Sequence, residues 1–177
     1  MDTSQANNQK VAIVTGVSSG IGYATSLLLA RSGYYTYASA RNIDKSSNLQ
    51  SIAEAERPFK SIQFDVTNDS SVIAVVEKIL SDKERIDVLV NNAGYGLFGA
   101  FEDLSLDEIK AQFETNFFGV VRVTQHILPI MRTMHDRGVG DGIIVNVGSI
   151  NGKIAFPVLC IFSHKICYRG IKRINCI

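Results

Sequence analysis

Short apolar runs alternate along the chain with segments in which apolar residues recur at helical spacing. Five runs rich in apolar and β-branched residues predict buried strands, at residues 10–15, 34–40, 61–66, 85–90 and 142–147. A helix is predicted after the first strand by the spacing of Ile21, Ala24 and Leu28. A second is predicted before the fourth strand by Val72, Val75, Ile79 and Leu80, with Asp69, Ser70 or Ser71 as its N-cap. The stretch from Leu106 to about Met134 predicts a long helix interrupted near Pro129.

This order of elements predicts an α/β fold, a doubly wound parallel sheet with helices on both faces. Ligands of such sheets bind beyond the carboxyl ends of the strands, where the strand order reverses. The chain finishes soon after the fifth strand, so we expect a sheet that is incomplete at its C-terminal side, with that strand as an exposed edge. The predicted single domain spans 10–159, between a polar extension at 1–9 and an unusual tail at 160–177.

Composition narrows the classes of function. The 177 residues are 46% hydrophobic and 20% charged, with a formal net charge of +1, so the chain has no strong basic field to attract nucleic acid or an anionic membrane. We therefore expect a small-molecule ligand. The N-terminal MDTSQANNQK is polar, and no run approaches the ~18 apolar residues of a membrane span. Residues 1–159 contain no cysteine, and these features together favour the reducing cytoplasm.

Glycines cluster where the first strand turns into the first helix, at positions 16, 20 and 22 of TGVSSGIG. Such a loop lets the backbone approach a pyrophosphate, whose charge the free N–H groups and the helix dipole stabilise. A tight connection between a strand and a helix would also account for it.

Polar residues follow the later strands. Asn91, Asn92, Ala93 and Gly94 come directly after the fourth strand, Asn116 lies within the long helical stretch, and Ser149 follows the fifth strand. A buried asparagine needs partners, because an unpaired amide costs about 1–3 kcal/mol. Each residue also has an ordinary structural explanation, as a turn former, a helix kink or a solvated loop serine.

In their order and spacing, these motifs resemble those of the short-chain dehydrogenase/reductase family, from about Lys10 to Leu159. TGVSSGIG is similar to the family's cofactor loop TGxxxGxG, and NNAG to its sheet-stabilising motif. Asp65, Asn116 and Ser149 match its adenine-contacting acid, catalytic asparagine and catalytic serine. The resemblance implies a Rossmann-like fold and hydride transfer between a nicotinamide cofactor and a small alcohol or ketone, commonly in homodimers or homotetramers.

The resemblance also implies residue roles. Ser149 would hydrogen-bond the substrate oxygen and Asn116 would support a water relay, beside a tyrosine and a lysine spaced YxxxK on one helix face. The cofactor would be bound by Gly16, Ser18, Ser19, Gly20, Ile21, Gly22, Arg41, Asp65, Asn92, Ala93 and Gly94.

The end of the second strand bears on the choice of cofactor. Enzymes that use NAD carry an acidic residue there to bind the ribose 2′-OH, whereas an arginine accommodates the 2′-phosphate of NADP. This strand ends in YASAR, with Arg41 and no acid, so we expect NADP(H) to be preferred over NAD(H). Arg41 could alternatively begin a solvated loop.

The expected catalytic tyrosine is missing. In the family it falls thirteen residues after the serine, where this chain has Phe162, and the next lysine, Lys165, stands three residues further rather than four. Tyr168 and Lys172 match YxxxK but lie six residues too far along. A zinc site at Cys160, His164, Cys167 and Cys176 is disfavoured, because no Cys-x2–4-Cys pair is present. We therefore expect no metal.

The tail has an unusual composition that a shifted reading frame would explain. Residues 160–177 hold all three cysteines and no Asp or Glu. Read one base later with permitted synonymous codons, they give AYSATKFAIEGLSESIA, which contains YxxxK at the family's spacing. The hypothesis is that 160–177 is an out-of-frame remnant of the catalytic helix, which would leave this truncated chain inactive or impaired. The alternative is a non-catalytic nucleotide-binding module or regulator.

Overall fold

A computed structural model describes residues 9–43, 58–149 and 174–176. Within these ranges the chain forms one parallel sheet of six strands in the order β3-β2-β1-β4-β5-β6. The strands are β1 (Val11–Thr15), β2 (Tyr35–Ala40), β3 (Phe59–Gln63), β4 (Val88–Asn91), β5 (Ile143–Asn146) and β6 (Ile174–Cys176). The chain runs outward from β1 to β3 and then crosses to the other side of β1. The strand order therefore reverses between β1 and β4, where such sheets bind ligands.

In the part of the chain that the structure describes, four α-helices lie between these strands. They are α1 (Gly20–Arg31), α2 (Asp69–Lys83), α3 (Leu106–Phe113) and α4 (Gly119–Asp136). A short 3₁₀ turn (Phe101–Asp103) precedes α3, and a π-helical turn (Glu114–Phe118) joins α3 to α4. No helix in the described ranges is both long and apolar enough to cross a membrane.

The sheet is covered on both faces. Helices α2 and α4 pack on one face, where Ile79 and Ile127 meet Ile13, Leu89 and the other apolar side chains of a single cluster. Helix α1 covers the opposite face, over a second cluster built from shorter side chains of β1, β2 and β4. Every residue of β1 is buried, as expected for a central strand with helices on either side. The predicted doubly wound, Rossmann-like α/β fold is confirmed.

The predicted elements are present with shifted boundaries. Helix α2 is capped by Asn68, whose side chain accepts a hydrogen bond from the Ser71 N–H at 2.9 Å, so the three residues predicted as its N-cap lie inside the helix. The predicted break near Pro129 is wrong, because this residue sits on the exposed side of a continuous α4. There the carbonyl of Gln125, which loses its helical partner, can be hydrated. The departure from α-helix falls instead at Glu114–Phe118.

The expectation that β5 forms an exposed edge is also wrong. Its outer side pairs in parallel with β6, with Ile144 opposite Ile174 and Asn146 opposite Cys176. Strand β6 lies within the unusual tail, so backbone pairing extends the sheet there beyond the five predicted strands.

Candidate nucleotide-binding site

A cleft of about 700 Å³ opens beyond the carboxyl ends of the strands, on either side of the point where their order reverses. Fourteen residues line it: Gly16, Ser18, Ser19, Ile21, Ala40, Arg41, Asn42, Phe64, Val66, Asn92, Ala93, Gly94, Tyr95 and Thr115. Eight of these belong to the predicted cofactor-binding set. None of these fourteen described residues is an aspartate or glutamate, so this part of the lining contributes no carboxylate to repel a phosphorylated ligand.

The glycine-rich loop takes a conformation that a larger residue would not allow. Gly16 has φ +68°, and a Cβ added there would lie 2.6 Å from the Cα of Ala93. A Cβ on Gly22 would overlap the side-chain amide of Asn92. Two of the three glycines are therefore required by close packing between the loop and the NNAG segment, and the cleft lies beside that contact.

Helix α1 begins at the edge of the cleft. Its first turn contains no acidic residue, and its N-cap, Ser19, makes no side-chain capping bond. Within the described residues, the first N–H groups of the helix therefore have neither a first-turn carboxylate nor the N-cap serine oxygen as a capping partner, and they can bind an anionic ligand. Ser18 and Ser19 add hydroxyl groups to this part of the lining.

Hydrogen bonds from Thr15 and Asn92 join the end of β1 to the end of β4. The Thr15 hydroxyl accepts hydrogen bonds from the backbone N–H groups of Asn92 and Ala93, each at 3.0 Å. The Asn92 amide donates to the carbonyls of Thr15 and Gly16, at 3.0 and 2.8 Å. Asn92 thus fixes the loop as well as lining the cleft. Thr15 was not predicted as a site residue, although it is the first residue of the TGxxxGxG motif.

A buried polar cluster lies beneath the same strand ends. The Asn91 side chain donates to Asn146 Oδ1 at 2.8 Å and to the Thr124 hydroxyl at 3.2 Å. These bonds join β4, β5 and α4, so the first asparagine of NNAG stabilises the sheet, as the resemblance implied for this motif.

Asn116 lies at the centre of the π-helical turn and is nearly buried. Its amide donates to the carbonyl of Tyr95 at 2.8 Å, and its Oδ1 accepts from the Tyr95 N–H at 3.0 Å. Gln112 donates to the same carbonyl at 3.1 Å. Tyr95 was not predicted as a site residue, although its position directly after NNAG is a usable signal.

Arg41 and Asp65 occupy the ends of neighbouring strands. Arg41 directly follows β2 and lines the cleft with Asn42. Asp65 follows β3, and its Oδ1 accepts from the N–H and hydroxyl of Thr67, at 2.9 and 2.8 Å. The residues on either side of Asp65, Phe64 and Val66, line the cleft. Asp65 itself does not belong to the lining.

Ser149 is exposed and stands three residues past β5. It lies at the same carboxyl edge of the sheet as Tyr95, the residue that Asn116 binds, but it does not line the cleft.

Most of the residues considered in the tail fall outside the described residues, namely Phe162, Lys165, Tyr168, Lys172, Cys160, His164 and Cys167. Cys176 belongs to β6. In the described ranges, no group of three or more His, Cys, Asp and Glu side chains is arranged to hold a metal ion.

Together, a doubly wound parallel sheet and a glycine-rich loop at its switch point define a dinucleotide-binding α/β protein. Residues 10–164 match the family model described as short chain dehydrogenase. The chain therefore belongs to the short-chain dehydrogenase family, which confirms the resemblance found in the motifs.

Individual relatives agree with this assignment. The chain is 41% identical over 155 residues to the uncharacterized oxidoreductase YusZ of Bacillus subtilis, covering 86% of this chain and 53% of that protein. It is 37% identical over 148 residues to a 3-ketodihydrosphingosine reductase of Bacteroides thetaiotaomicron, covering 84% of this chain and 50% of the relative. The chain thus spans about half the length of these relatives.

A solved structure is similar in fold. A variant of actinorhodin polyketide ketoreductase, crystallised with NADPH, superimposes with a TM-score of 0.80 at 32% identity, covering 89% of this chain and 59% of the ketoreductase.

Proposed function

We propose that the chain forms the nucleotide-binding portion of an NADP(H)-dependent oxidoreductase that interconverts an alcohol and a carbonyl compound. The observation that carries this proposal is the cleft at the switch point, where Gly16 packs against Ala93 and Arg41 stands at the end of β2. Family membership supports the reaction class, and the NADPH in the ketoreductase structure supports the cofactor.

The described residues fit such a cofactor. We assign the pyrophosphate to Ser18, Ser19 and the backbone of the glycine-rich loop at Gly20, Ile21 and Gly22. Arg41 would bind the 2′-phosphate, which needs a cation and no neighbouring carboxylate. Asp65 would contact the adenine, and Asn92, Ala93 and Gly94 would form the opposite side. When bound, the cofactor donates or accepts a hydride at its nicotinamide ring.

For the substrate we propose a small apolar alcohol or ketone. Tyr95 lines the cleft and is 41% exposed, and the nearby Phe98 is 72% exposed. Two aromatic side chains beside the site favour an apolar partner. The relative described as a 3-ketodihydrosphingosine reductase is in keeping with this class. Cytoplasmic localisation and assembly into homodimers or homotetramers stay predictions.

Within the reaction, Ser149 is assigned to the substrate oxygen and Asn116 to the water relay. The chain has Phe162 where the family has its tyrosine, so it lacks the expected proton donor. Loss of a general acid costs ~10²–10⁴ in rate. We therefore propose that the chain in this form is inactive or impaired, and that 160–177 derives from the catalytic helix by a shifted reading frame.

The reading-frame proposal has a direct test. The codons of residues 160–177 are determined by sequencing the gene, and AYSATKFAIEGLSESIA is expected one base later. Any other peptide in that frame refutes the proposal. A rebuilt chain carrying the restored helix is then assayed with NADPH on a panel of apolar ketones, where turnover is expected only after rebuilding.

The competing function is a non-catalytic nucleotide-binding module, favoured by Phe162 alone. Under that proposal the rebuilt chain would also turn over nothing, while the natural chain would bind NADPH tightly.

The cofactor assignment is tested by titrating the chain with NADPH and NADH and following the nucleotide's fluorescence. We expect NADPH to bind at least about tenfold more tightly, through a charge-assisted contact with Arg41. Arg41→Ala should remove most of this preference, while Arg132→Ala, at an exposed arginine of α4, should leave it unchanged. Equal affinity of the wild-type chain for the two nucleotides would overturn the assignment.

A further inference from the structure

One arginine that does not line the cleft, Arg122, contacts three separate parts of the chain. Arg122 lies on α4, and its side chain is 22% exposed. Its Nη1 donates to the carbonyl of Val66 at 2.8 Å, and its Nη2 donates to Glu114 Oε1 at 2.7 Å. Its Nε lies 3.8 Å from Asp69 Oδ1. The guanidinium therefore connects the segment after β3, the start of α2 and the first residue of the π-helical turn.

Two of these connections end next to the lining of the cleft. Val66 itself lines the cleft and is buried. Glu114 precedes Thr115, which is also buried and lines the cleft. Arg122 does not belong to the lining, so any effect it has on a ligand passes through these neighbours.

Packing holds the side chain of Val66 while Arg122 holds its carbonyl. A Cβ added to Gly119 would lie 2.8 Å from Val66 Cγ2, so the valine side chain packs directly against the backbone of Gly119. An arginine can hold a carbonyl and a carboxylate at once because its planar guanidinium presents several donors in fixed directions. A lysine ammonium in its place lacks this fork.

We infer that Arg122 is a positioning residue for the nucleoside end of the cofactor, acting through the backbone of Val66 and through Glu114. Phe64 and Val66 give the cleft an apolar wall, and the Phe64 N–H donates to the carbonyl of Ala40, the residue before Arg41. A planar base binds to such a wall by face contact. Fixing the Val66 backbone sets the distance of this wall from the glycine-rich loop. The inference rests on the proposed nucleotide-binding function.

The test compares Arg122→Gln and Arg122→Lys with the matched control Arg132→Gln, whose arginine is exposed on the same helix. Each chain is titrated with NADPH by fluorescence and with adenosine 2′,5′-bisphosphate by calorimetry, at a temperature where circular dichroism shows it folded. Arg122→Gln is expected to weaken both ligands about tenfold, as for loss of charge-assisted hydrogen bonds. Arg122→Lys should restore affinity to within about threefold of wild type, since one charged donor remains.

Further variants separate the two contacts and keep the outcome decisive. Glu114→Gln retains the bond to Val66, so it should weaken binding less than Arg122→Gln does. If Arg122→Gln does not fold, Arg122→Lys decides: its affinity should fall about two- to threefold while Arg132→Lys has no effect.

Affinity of a folded Arg122→Gln chain equal to that of the control would overturn the inference and leave the proposed function standing. A wild-type chain that binds neither nucleotide would overturn the proposed function, and this inference with it.

Discussion

Asn116 and Tyr95 are joined by a reciprocal pair of hydrogen bonds between one side-chain amide and one backbone unit. The amide donates at 2.8 Å and accepts at 3.0 Å, so the asparagine pairs with both backbone polar groups of a residue twenty-one positions earlier. The contact ties the π-helical turn to the segment that follows β4. It gives Asn116 a structural role that is separate from the catalytic role implied by the family.

Replacing Asn116 with leucine should therefore destabilise the fold. The substitution leaves the Tyr95 N–H without this partner and its carbonyl with Gln112 alone, and we expect a loss of about 1–3 kcal/mol in the free energy of unfolding. Urea denaturation followed by circular dichroism measures it. Gln112→Leu is the control and should cost less, because it removes one bond to Tyr95 together with a buried Oε1 that has no partner in the described structure. Equal losses would contradict this account.

The sequence predicted those features of the fold that depend on local pattern. The five residues of β1 are apolar or β-branched, which predicts a buried strand, and all five are buried in the structure. The π-helical turn was not predicted. It contains Asn116, which pairs with the distant Tyr95, and the spacing of apolar residues carries no information about such a long-range contact. The fourth strand was predicted to begin at Arg85, whereas β4 begins at Val88. Arg85 and Asp87 form a buried ion pair, so burial there does not mark a strand.

The residues of the candidate site were likewise predicted where a local sequence pattern marks them and missed where it does not. Gly16, Asn92 and Arg41 were found because a motif or a strand end marks them. Val66, Thr115 and Tyr95 also line the cleft, although none of them was predicted. Each stands directly beside a predicted site residue, but only the fold shows which of these neighbours face the cleft. The side chain of Asp65 bonds to Thr67, which the family motif alone does not reveal.

Gly16→Ala should disrupt both the loop and nucleotide binding. Its Cβ would lie 2.6 Å from the Ala93 Cα at a positive φ, so the loop must move away from the NNAG segment. We expect NADPH affinity to fall by more than about tenfold, because backbone N–H groups no longer converge on the pyrophosphate. Gly33→Ala isolates the conformational cost, since Gly33 has φ +89° and nothing within 4 Å of the added Cβ. That variant should lose about 1–2 kcal/mol of stability, the cost of an alanine in the left-handed region, and keep its affinity. Similar affinities for the two variants would refute the packing argument.

The buried pair of Arg85 and Asp87 provides a third prediction. Asp87 Oδ1 and Oδ2 accept from Arg85 at 2.6 and 2.9 Å, and Oδ2 also accepts from the Val11 N–H at 2.7 Å. The hydrogen bond to Asp87 raises the pKa of Arg85 further, so the arginine stays charged. Asp87→Asn leaves the buried Arg85 charge without its carboxylate partner. The free energy of unfolding, measured with guanidinium chloride, should fall by about 3–5 kcal/mol. The double variant with Arg85→Met should recover part of this loss. A double variant no more stable than Asp87→Asn would contradict the explanation.

Asp82 should make a small contribution to stability that disappears in acid. Its carboxylate accepts from Lys60 at 3.0 Å and from the Tyr37 hydroxyl at 3.4 Å, and the bond from Lys60 is the main cause of its lowered pKa. Because the folded-state pKa lies below the unfolded one, the contribution is complete above the ordinary carboxyl range and is lost as pH falls through the folded-state pKa. The pair is partly exposed, so we expect Asp82→Asn to cost less than about 1 kcal/mol at neutral pH.

Urea unfolding at several pH values measures this difference in stability between Asp82→Asn and the wild-type chain, which should shrink towards zero in acid and in high salt. Asp107→Asn, whose side chain is 96% exposed, serves as the control and should show little difference at any pH. A cost for Asp82→Asn that stays constant from neutral to acidic pH would mean that the carboxylate acts through its shape and not through its charge.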